Sequence, residues 1–394
     1  MRRIATGKYC HRARPTGWAC HNIRVSIPAE FVLPGPRSIT QVIGGAASAV
    51  GIDGDASWAA AAASLGLPQV DRVCVVLIDG LGLTQLRERS GHFPFLRRRE
   101  HGELTTVVPS TTAAAVTAVG TGARPGETGM LGYTVREPES GELLNLIKWD
   151  AAEARRWQTV PTVAERARRG RFTAIGPSRF VGSGLNTAAL RGFRDVSAES
   201  LAQRVDATTE ILRARKSDVV YLYWGELDHM GHRYGWNSWE WGDEALATDS
   251  ELQRLFRELP KGTLVILTAD HGMVDVDERI DIAVTPQLSR GVIAVAGEPR
   301  ASHIFTDEPE ALSERWRDYL GERAWVIPRA EAIDVIGDVH SRFAPVIGDV
   351  VVFARGKTVV VDSASQTPGS IALVGVHGSL TAHEMLVPCI REVV

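Results

Sequence analysis

Short runs of almost uninterrupted aliphatic and β-branched residues recur along this chain, and the stretches between them carry apolar positions at helical spacing. Five runs stand out: Val73-Cys-Val-Val-Leu-Ile78, Leu104-Thr-Thr-Val-Val108, Val219-Val-Tyr-Leu-Tyr-Trp224, Leu264-Val-Ile-Leu-Thr268 and Ile371-Ala-Leu-Val-Gly-Val376. A strand with one wet face alternates apolar and polar residues, whereas a strand covered on both faces is apolar throughout. The alternation therefore predicts an α/β fold, a mainly parallel central sheet with helices on both faces. The alanine-rich stretches near 46–49 and 59–63 are expected to be helices of small residues.

Two segments fall outside this rhythm. Residues about 130–160, with Glu137-Pro-Glu-Ser-Gly141 as a turn, are expected to form an inserted lid. Residues about 280–360 carry their own alternation, from Val292-Ile-Ala-Val through a helix near 309–320 to Trp325-Val-Ile. They are expected to form a small inserted α+β capping subdomain. Residues 1–29 contain no acid and several bases, so 1–35 is expected to be a loosely ordered N-terminal extension and 36–394 the main domain.

Composition narrows the classes. The chain has 394 residues, 44% apolar and 23% charged, enough for a large core. A net charge of -3 gives no strong pull toward a nucleic acid polymer or an anionic membrane, and neither partner is expected. No run of apolar residues is long enough to span a bilayer as a helix. Four cysteines in this length suit a reducing compartment, so a cytoplasmic location is expected. Cys10-His11 and Cys20-His21 match no common zinc-module spacing. Oligomeric state stays open.

The residues just after each apolar run carry the chemistry. The five runs lead into Asp79-Gly80, Pro109-Ser-Thr-Thr112, Glu226-Leu-Asp-His-Met-Gly-His232, Asp270-His271-Gly272 and His377-Gly378. Ligands of open parallel sheets bind beyond the carboxyl ends of the strands, so five such ends are expected to converge on one pocket. Taken singly, each has an ordinary reading: Thr111 or Thr112 caps a helix, an Asp ends a strand in a turn, a His sits satisfied in a core. Asp228 and His232, four residues apart, reach one metal if their segment is helical. Together, three Asp, three His and one Thr suffice for two sites of mixed oxygen and nitrogen ligation. That donor set suits two divalent ions, zinc before manganese or magnesium. Two ions about 3.5–4 Å apart clamp a transferring phosphoryl group and activate a hydroxyl that is otherwise a poor nucleophile.

These motifs occur in a specific order: Val-Leu-Ile-Asp79-Gly, Pro-Ser-Thr-Thr112 with Thr121-Gly122 further on, Asp228-x-x-Gly-His232, Asp270-His271-Gly and Gly-x-His377-Gly. Over residues 70–394 the order resembles the alkaline phosphatase superfamily, closest to its type I phosphodiesterase/nucleotide pyrophosphatase branch. The resemblance implies that Asp79, Asp270, His271 and the Thr112 oxygen surround one zinc, and that Asp228, His232 and His377 hold the other. It implies that Thr112, favoured over Thr111 by its distance from the Thr-Gly pair, attacks phosphorus and forms a phospho-threonyl intermediate. His383 is a lesser candidate for the last ligand. The expected substrate is a small phosphate ester, with nucleotides among the candidates.

The chain also departs from that pattern. Tyr133, in Gly129-Met-Leu-Gly-Tyr, stands where diesterases of the branch carry a phosphate-contacting Asn, and is expected to face substrate. The superfamily's phosphate-gripping Arg has no clear counterpart. A sulfatase does not fit, because the formylglycine sequence is missing. The leading expectation is a phosphodiesterase or nucleotide pyrophosphatase. A phosphomonoesterase of the superfamily is the near alternative, a phosphosugar mutase is more remote, and a non-catalytic binding module on the same scaffold more remote still. Tyr234, Trp236, Trp239 and Trp241 either stack a nucleobase or pack a surface helix, and Lys148 and Trp149 in the lid segment are similarly open.

Overall fold

A computed structural model describes residues 8–13, 17–22 and 26–394 except residue 101. The rest of the 1–35 extension and the side chains of Cys10, His11, Cys20 and His21 lie outside the described residues. The backbone of Lys8–Ala13 and Gly17–Asn22 pairs as an antiparallel hairpin.

The centre is a seven-stranded sheet. Its spatial order is Gly102–Thr105, Leu386–Val393, Thr263–Thr268, Arg72–Ile78, Val219–Trp224, Phe172–Gly176 and Arg194–Ser197. The last five run parallel. Leu386–Val393 is antiparallel to both of its neighbours. Three of the five sequence runs thus become adjacent central strands. Arg72–Ile78 is buried at every position but the first, and Thr263–Thr268 at every position, the covering on both faces that their composition requires. Helices such as Val42–Ala49, Ser57–Leu65, Leu201–Arg213 and Trp239–Glu258 supply the cover and share one core with these strands.

Two runs depart from expectation. The strand expected at 104–108 lies at Gly102–Thr105, at the sheet edge. The run at 371–376 is not a strand of this sheet. Pro368–Ile371 forms a short helix, and only Gly375–Val376 is extended, paired with Val274–Asp275. Proline at the first helical position and the Thr367 cap start that turn, and local capping outweighs an apolar run this short.

A second, six-stranded sheet is antiparallel throughout, in the order Ala324–Pro328, Val350–Ala354, Ala301–Phe305, Ala294–Glu298, Thr134–Arg136 and Leu143–Asn145. Segments 134–145 and 294–354, far apart in sequence, are therefore one sheet. Its strand Val350–Ala354 is apolar and buried on both faces. Val350 and Val352 pack with Leu312, Trp316 and Leu320 of the helix Pro309–Leu320, while Val351 and Phe353 pack with Ala332, Val335 and Ile336 on the other side. The four-residue spacing of Leu312, Trp316 and Leu320 is what places them on one helix face.

A fully buried ion pair ties a turn of this second sheet to the short helix Ala382–Met385, which leads into Leu386–Val393 of the central sheet. Arg300, in the turn between Ala294–Glu298 and Ala301–Phe305, donates through Nε and Nη2 to both oxygens of Glu384, 3.0 and 2.7 Å away. Glu384 also accepts from the Ser379 amide and the Thr381 hydroxyl, so the buried charges are fully hydrogen-bonded. No described helix is long and apolar enough to cross a membrane. Cys74 and Cys389 are buried free thiols.

Candidate metal centre and cleft

The carboxyl ends of the central strands and the connections after them bring the six predicted ligands into one cluster. Asp79 follows Arg72–Ile78, Asp270 and His271 follow Thr263–Thr268, and Asp228 and His232 ride on the helix Glu226–Tyr234 just after Val219–Trp224. Residue 80 must be small and left-handed for this to work. Gly80 has φ +73°, and a Cβ there would lie 3.0 Å from the Cα and Cβ of Asp228. His377 arrives from the loop after Gly375–Val376.

Ligand atoms gather into two groups that share one imidazole. Asp79, Asp270 and His271 form the first, and Asp228, His271 and His377 the second, with all ligand atoms of a group within 4.8 Å of one another. His271 Nε2 is 3.5 Å from Asp79 Oδ1 and 3.4 Å from Asp270 Oδ2. His232 joins through Asp228, with Nε2 3.2 Å from Oδ2. His377 Nε2 is 3.9 Å from the other oxygen of Asp228, and its ring stacks on His271 at 3.6 Å.

Thr112 opens the helix Thr112–Thr121, with Thr111 at the N-cap in extended backbone. The Thr112 Oγ1 lies 3.1 Å from His271 Nε2. Its partner hydroxyl Thr111 turns instead toward the Glu298 carboxyl. A hydroxyl at the start of a helix faces the unpaired N–H groups and positive end of the dipole, where an anion is stabilised.

The donor set fits bound cations. Each histidine gives its Nδ1 to a backbone carbonyl: His232 to Gly375 at 2.8 Å, His271 to Gly272 at 3.0 Å, His377 to Ser110 at 2.9 Å. A carbonyl only accepts, so each Nδ1 carries a proton and each Nε2 is the nitrogen that faces the cluster. Asp79 Oδ1, Asp228 Oδ1 and Asp270 Oδ2 are buried without hydrogen-bond partners. Orphaned buried oxygens are costly unless something positive meets them.

Electrostatics point the same way. Burial, followed by the charges of Asp270 and Asp228, drives the Asp79 carboxyl well above the ordinary range, and burial also raises Asp270. Burial opposes ionisation of Asp228 as well, but the imidazoles of His232, His377 and His271 outweigh it and hold that carboxyl low. Burial works against the His232 cation, yet Asp228 raises its pKa to about 9. Burial and the neighbouring His271 keep His377 well below the usual histidine value. Without cations, three carboxylates this close cannot all be ionised.

A cleft of about 1270 Å³ opens over the cluster, lined by Asp79, Thr112, Asp228, His232 and His377 on one side and by residues of the antiparallel sheet on the other. Tyr133, Lys148 and Trp149 line it too. Tyr234, Trp236, Trp239 and Trp241 do not: Trp236 and Trp241 pack in the core, and Trp239 is exposed. His383 lies outside both ligand groups, its ring packed toward Trp236.

Three cleft residues escaped the sequence reading. Glu298, at the end of Ala294–Glu298, is buried, has an unpartnered Oε1, and has its pKa raised by burial to about 8. Phe180 and Tyr223 line the cleft with their rings tilted against each other, centroids 5.7 Å apart. A Tyr within an apolar run reads as core, and a Glu before a Pro reads as a surface turn. No signal in a single sequence separates these residues from ordinary ones.

Among solved structures, murine ectonucleotide pyrophosphatase/phosphodiesterase 5 superposes with a TM-score of 0.65 at 18% identity, covering 81% of this chain and 87% of that one. Phosphonoacetate hydrolase from Sinorhizobium meliloti 1021 superposes with a TM-score of 0.61 at 19% identity, covering 81% and 89%. At such identity these matches establish the fold. Alkaline phosphatase PhoK from a Sphingomonas species is 27% identical over 161 residues, 35% of this chain. The chain matches only 29% of that relative's length. The model of the type I phosphodiesterase/nucleotide pyrophosphatase family matches residues 73–380, from the first central strand to just past His377. With that match spanning most of its length and every motif of the cluster, the chain belongs to the type I phosphodiesterase/nucleotide pyrophosphatase family.

Proposed function

We propose that this protein hydrolyses phosphate esters, foremost phosphodiesters, through a phospho-threonine intermediate on Thr112 at a two-metal centre. The observation that carries the reading is the Thr112 hydroxyl at a helix start, 3.1 Å from a histidine shared by two groups of candidate ligands. Asp79, Asp270 and His271 would hold one divalent ion and Asp228, His232 and His377 the other, zinc before manganese or magnesium. Such ions, when bound, neutralise phosphoryl charge and lower the pKa of a coordinated hydroxyl.

The chain's own residues do the rest. The Thr112 hydroxyl loses its proton to solvent, and Oγ1 forms the new bond to phosphorus as the bond to the leaving alkoxide breaks. The alkoxide takes a proton from water, and the helix N–H groups orient the phosphoryl oxygens. Water then releases phosphate, or a monoester, from Thr112. Tyr133, on the cleft wall, contacts the substrate's phosphate or second ester group. Residues 36–394 act as one catalytic unit, with the antiparallel sheet as its cap.

Charge in the cleft favours a diester. Among the described residues, the lining cations Lys148, Arg179 and Arg233 are exposed. The buried Arg204 is committed to the carbonyls of Ala198, Glu199 and Tyr223. None stands buried and free to offset the extra charge of a monoester, and the cleft has room for a second ester group. A monoesterase remains the second reading, favoured by the stretch similar to an alkaline phosphatase. Turnover of bis-p-nitrophenyl phosphate against p-nitrophenyl phosphate decides between them; faster cleavage of the monoester would overturn the diesterase assignment. One relative's structure is an inactive variant in complex with AMP, so a nucleotide diester belongs in the same panel.

A further inference from the structure

The strand Val219–Trp224 carries two tyrosines on one face, Tyr221 and Tyr223, two residues apart. Both line the cleft floor, but their hydroxyls differ. Tyr221 Oη is buried with no hydrogen-bond partner. Tyr223 Oη donates to Asp79 Oδ2.

That bond leaves the two Asp79 oxygens unequal. Oδ2 is tied to the phenol, while Oδ1 is buried, unpartnered and 3.5 Å from His271 Nε2. Asp270 repeats the pattern: its Oδ1 accepts from the Gly80 and His271 amides, and its free Oδ2 lies 3.4 Å from the same nitrogen. In both carboxylates one oxygen is bound to the fold and the other is offered to the cluster. The phenol has little freedom to move. Its ring packs on Phe180, and a Cβ on Gly225 would already lie 2.7 Å from its oxygen.

We propose that Tyr223 is a positioning residue that selects Asp79 Oδ1 as a ligand of the ion held with Asp270 and His271. The inference rests on the reading that these three residues hold a metal. Removing the phenol oxygen leaves Asp79 free to rotate and its Oδ2 buried without a donor, so the ligand is no longer pre-oriented. Partners of ligating groups typically contribute about ten- to hundredfold in metal affinity.

The test is calorimetric titration of the metal-free full-length protein with Zn²⁺. Wild type is expected to bind two ions. Tyr223→Phe is expected to weaken one of the two sites by about ten- to hundredfold and to leave the other unchanged. Tyr221→Phe, which removes a hydroxyl from the same strand that has no partner, is expected to leave both unchanged. In an Asp79→Asn background, Tyr223→Phe is expected to add nothing, because the two residues act as one unit. Thermal unfolding of the metal-free variants confirms that each is folded. Unaltered affinity in Tyr223→Phe, an equal loss at both sites, a matching loss in Tyr221→Phe, or additive losses in the double variant would each overturn the proposal. Failure of the wild type to bind zinc would instead overturn the metal-centre reading, and the proposal with it.

Discussion

At the scale of single residues, the cluster is a set of charges that tolerate one another only with help. Thr112→Ala removes the proposed nucleophile but keeps the helix start, since Ala propagates a helix well. Diesterase turnover is expected to fall by on the order of 10³-fold or more, with the metals still bound. A variant with near wild-type turnover would mean that another group attacks phosphorus. The pH dependence of the metal-free protein has a definite sign. His232 is stabilised as a cation up to about pH 9, so its contribution is complete below the ordinary histidine pKa and is lost as pH rises from there through about 9. Burial raises the Glu298 pKa to about 8, so its ionisation also costs stability as pH rises through that value. Between pH 7 and 9 the melting temperature of the metal-free form is expected to fall, and zinc is expected to flatten the slope. A melting temperature that rises over this window would contradict the assignment.

At the scale of elements, the strand-to-loop junctions carry the most constraint. Gly80→Ala places a side chain in a left-handed backbone and against Asp228. We expect a loss of about 1–2 kcal/mol from the conformation alone, with metal affinity reduced because Asp79 and Asp228 are pushed apart; urea unfolding and zinc titration read the two effects separately. The Arg300–Glu384 pair joins the turn of the antiparallel sheet to the short helix Ala382–Met385. Arg300→Gln strands a buried carboxylate and is expected to cost about 3–5 kcal/mol in chemical unfolding. A cost below about 1 kcal/mol would show that the pair behaves like a surface contact. Element reading from sequence succeeded where runs were long and flanked by breakers, as at Val73–Ile78, Val219–Trp224 and the helix Pro309–Leu320. It failed at 371–376, where a Pro-started turn claims the first residues and tertiary pairing with Val274–Asp275 claims the last.

At the scale of the whole molecule, the candidate ligands span residues 79 to 377, so bound metal would cross-link distant parts of the chain. Chelation of the zinc-loaded protein is therefore expected to lower the melting temperature. Readdition is expected to restore it in a concentration-dependent way, because a ligand that binds only the native state stabilises it by mass action. A melting temperature indifferent to chelator would argue against a structural contribution from the ions. The cleft lies between the two sheets, with Thr112 and the carboxylates on one wall and Glu298 on the other. One side of the cleft is built by the 134–145 and 294–354 segments, which the sequence pattern presents as separate lid and cap insertions and which hydrogen-bond into one sheet.

The sequence by itself determined the α/β class and the order of the motifs, because a buried strand must be apolar throughout and because the residues after such a strand face the crevice. It also named the six acidic and imidazole residues of the cluster, since those side chains rarely recur in series after apolar strands without a shared purpose. Only the tertiary structure decided that His271 lies between two groups of ligand atoms, that Tyr223 reaches Asp79, and that Glu298 closes the site from a different sheet. These facts depend on which segments approach one another in space. Such approaches are set by the packing of both sheets and by a buried ion pair between residues 84 positions apart, at separations where periodicity and local propensity carry no information.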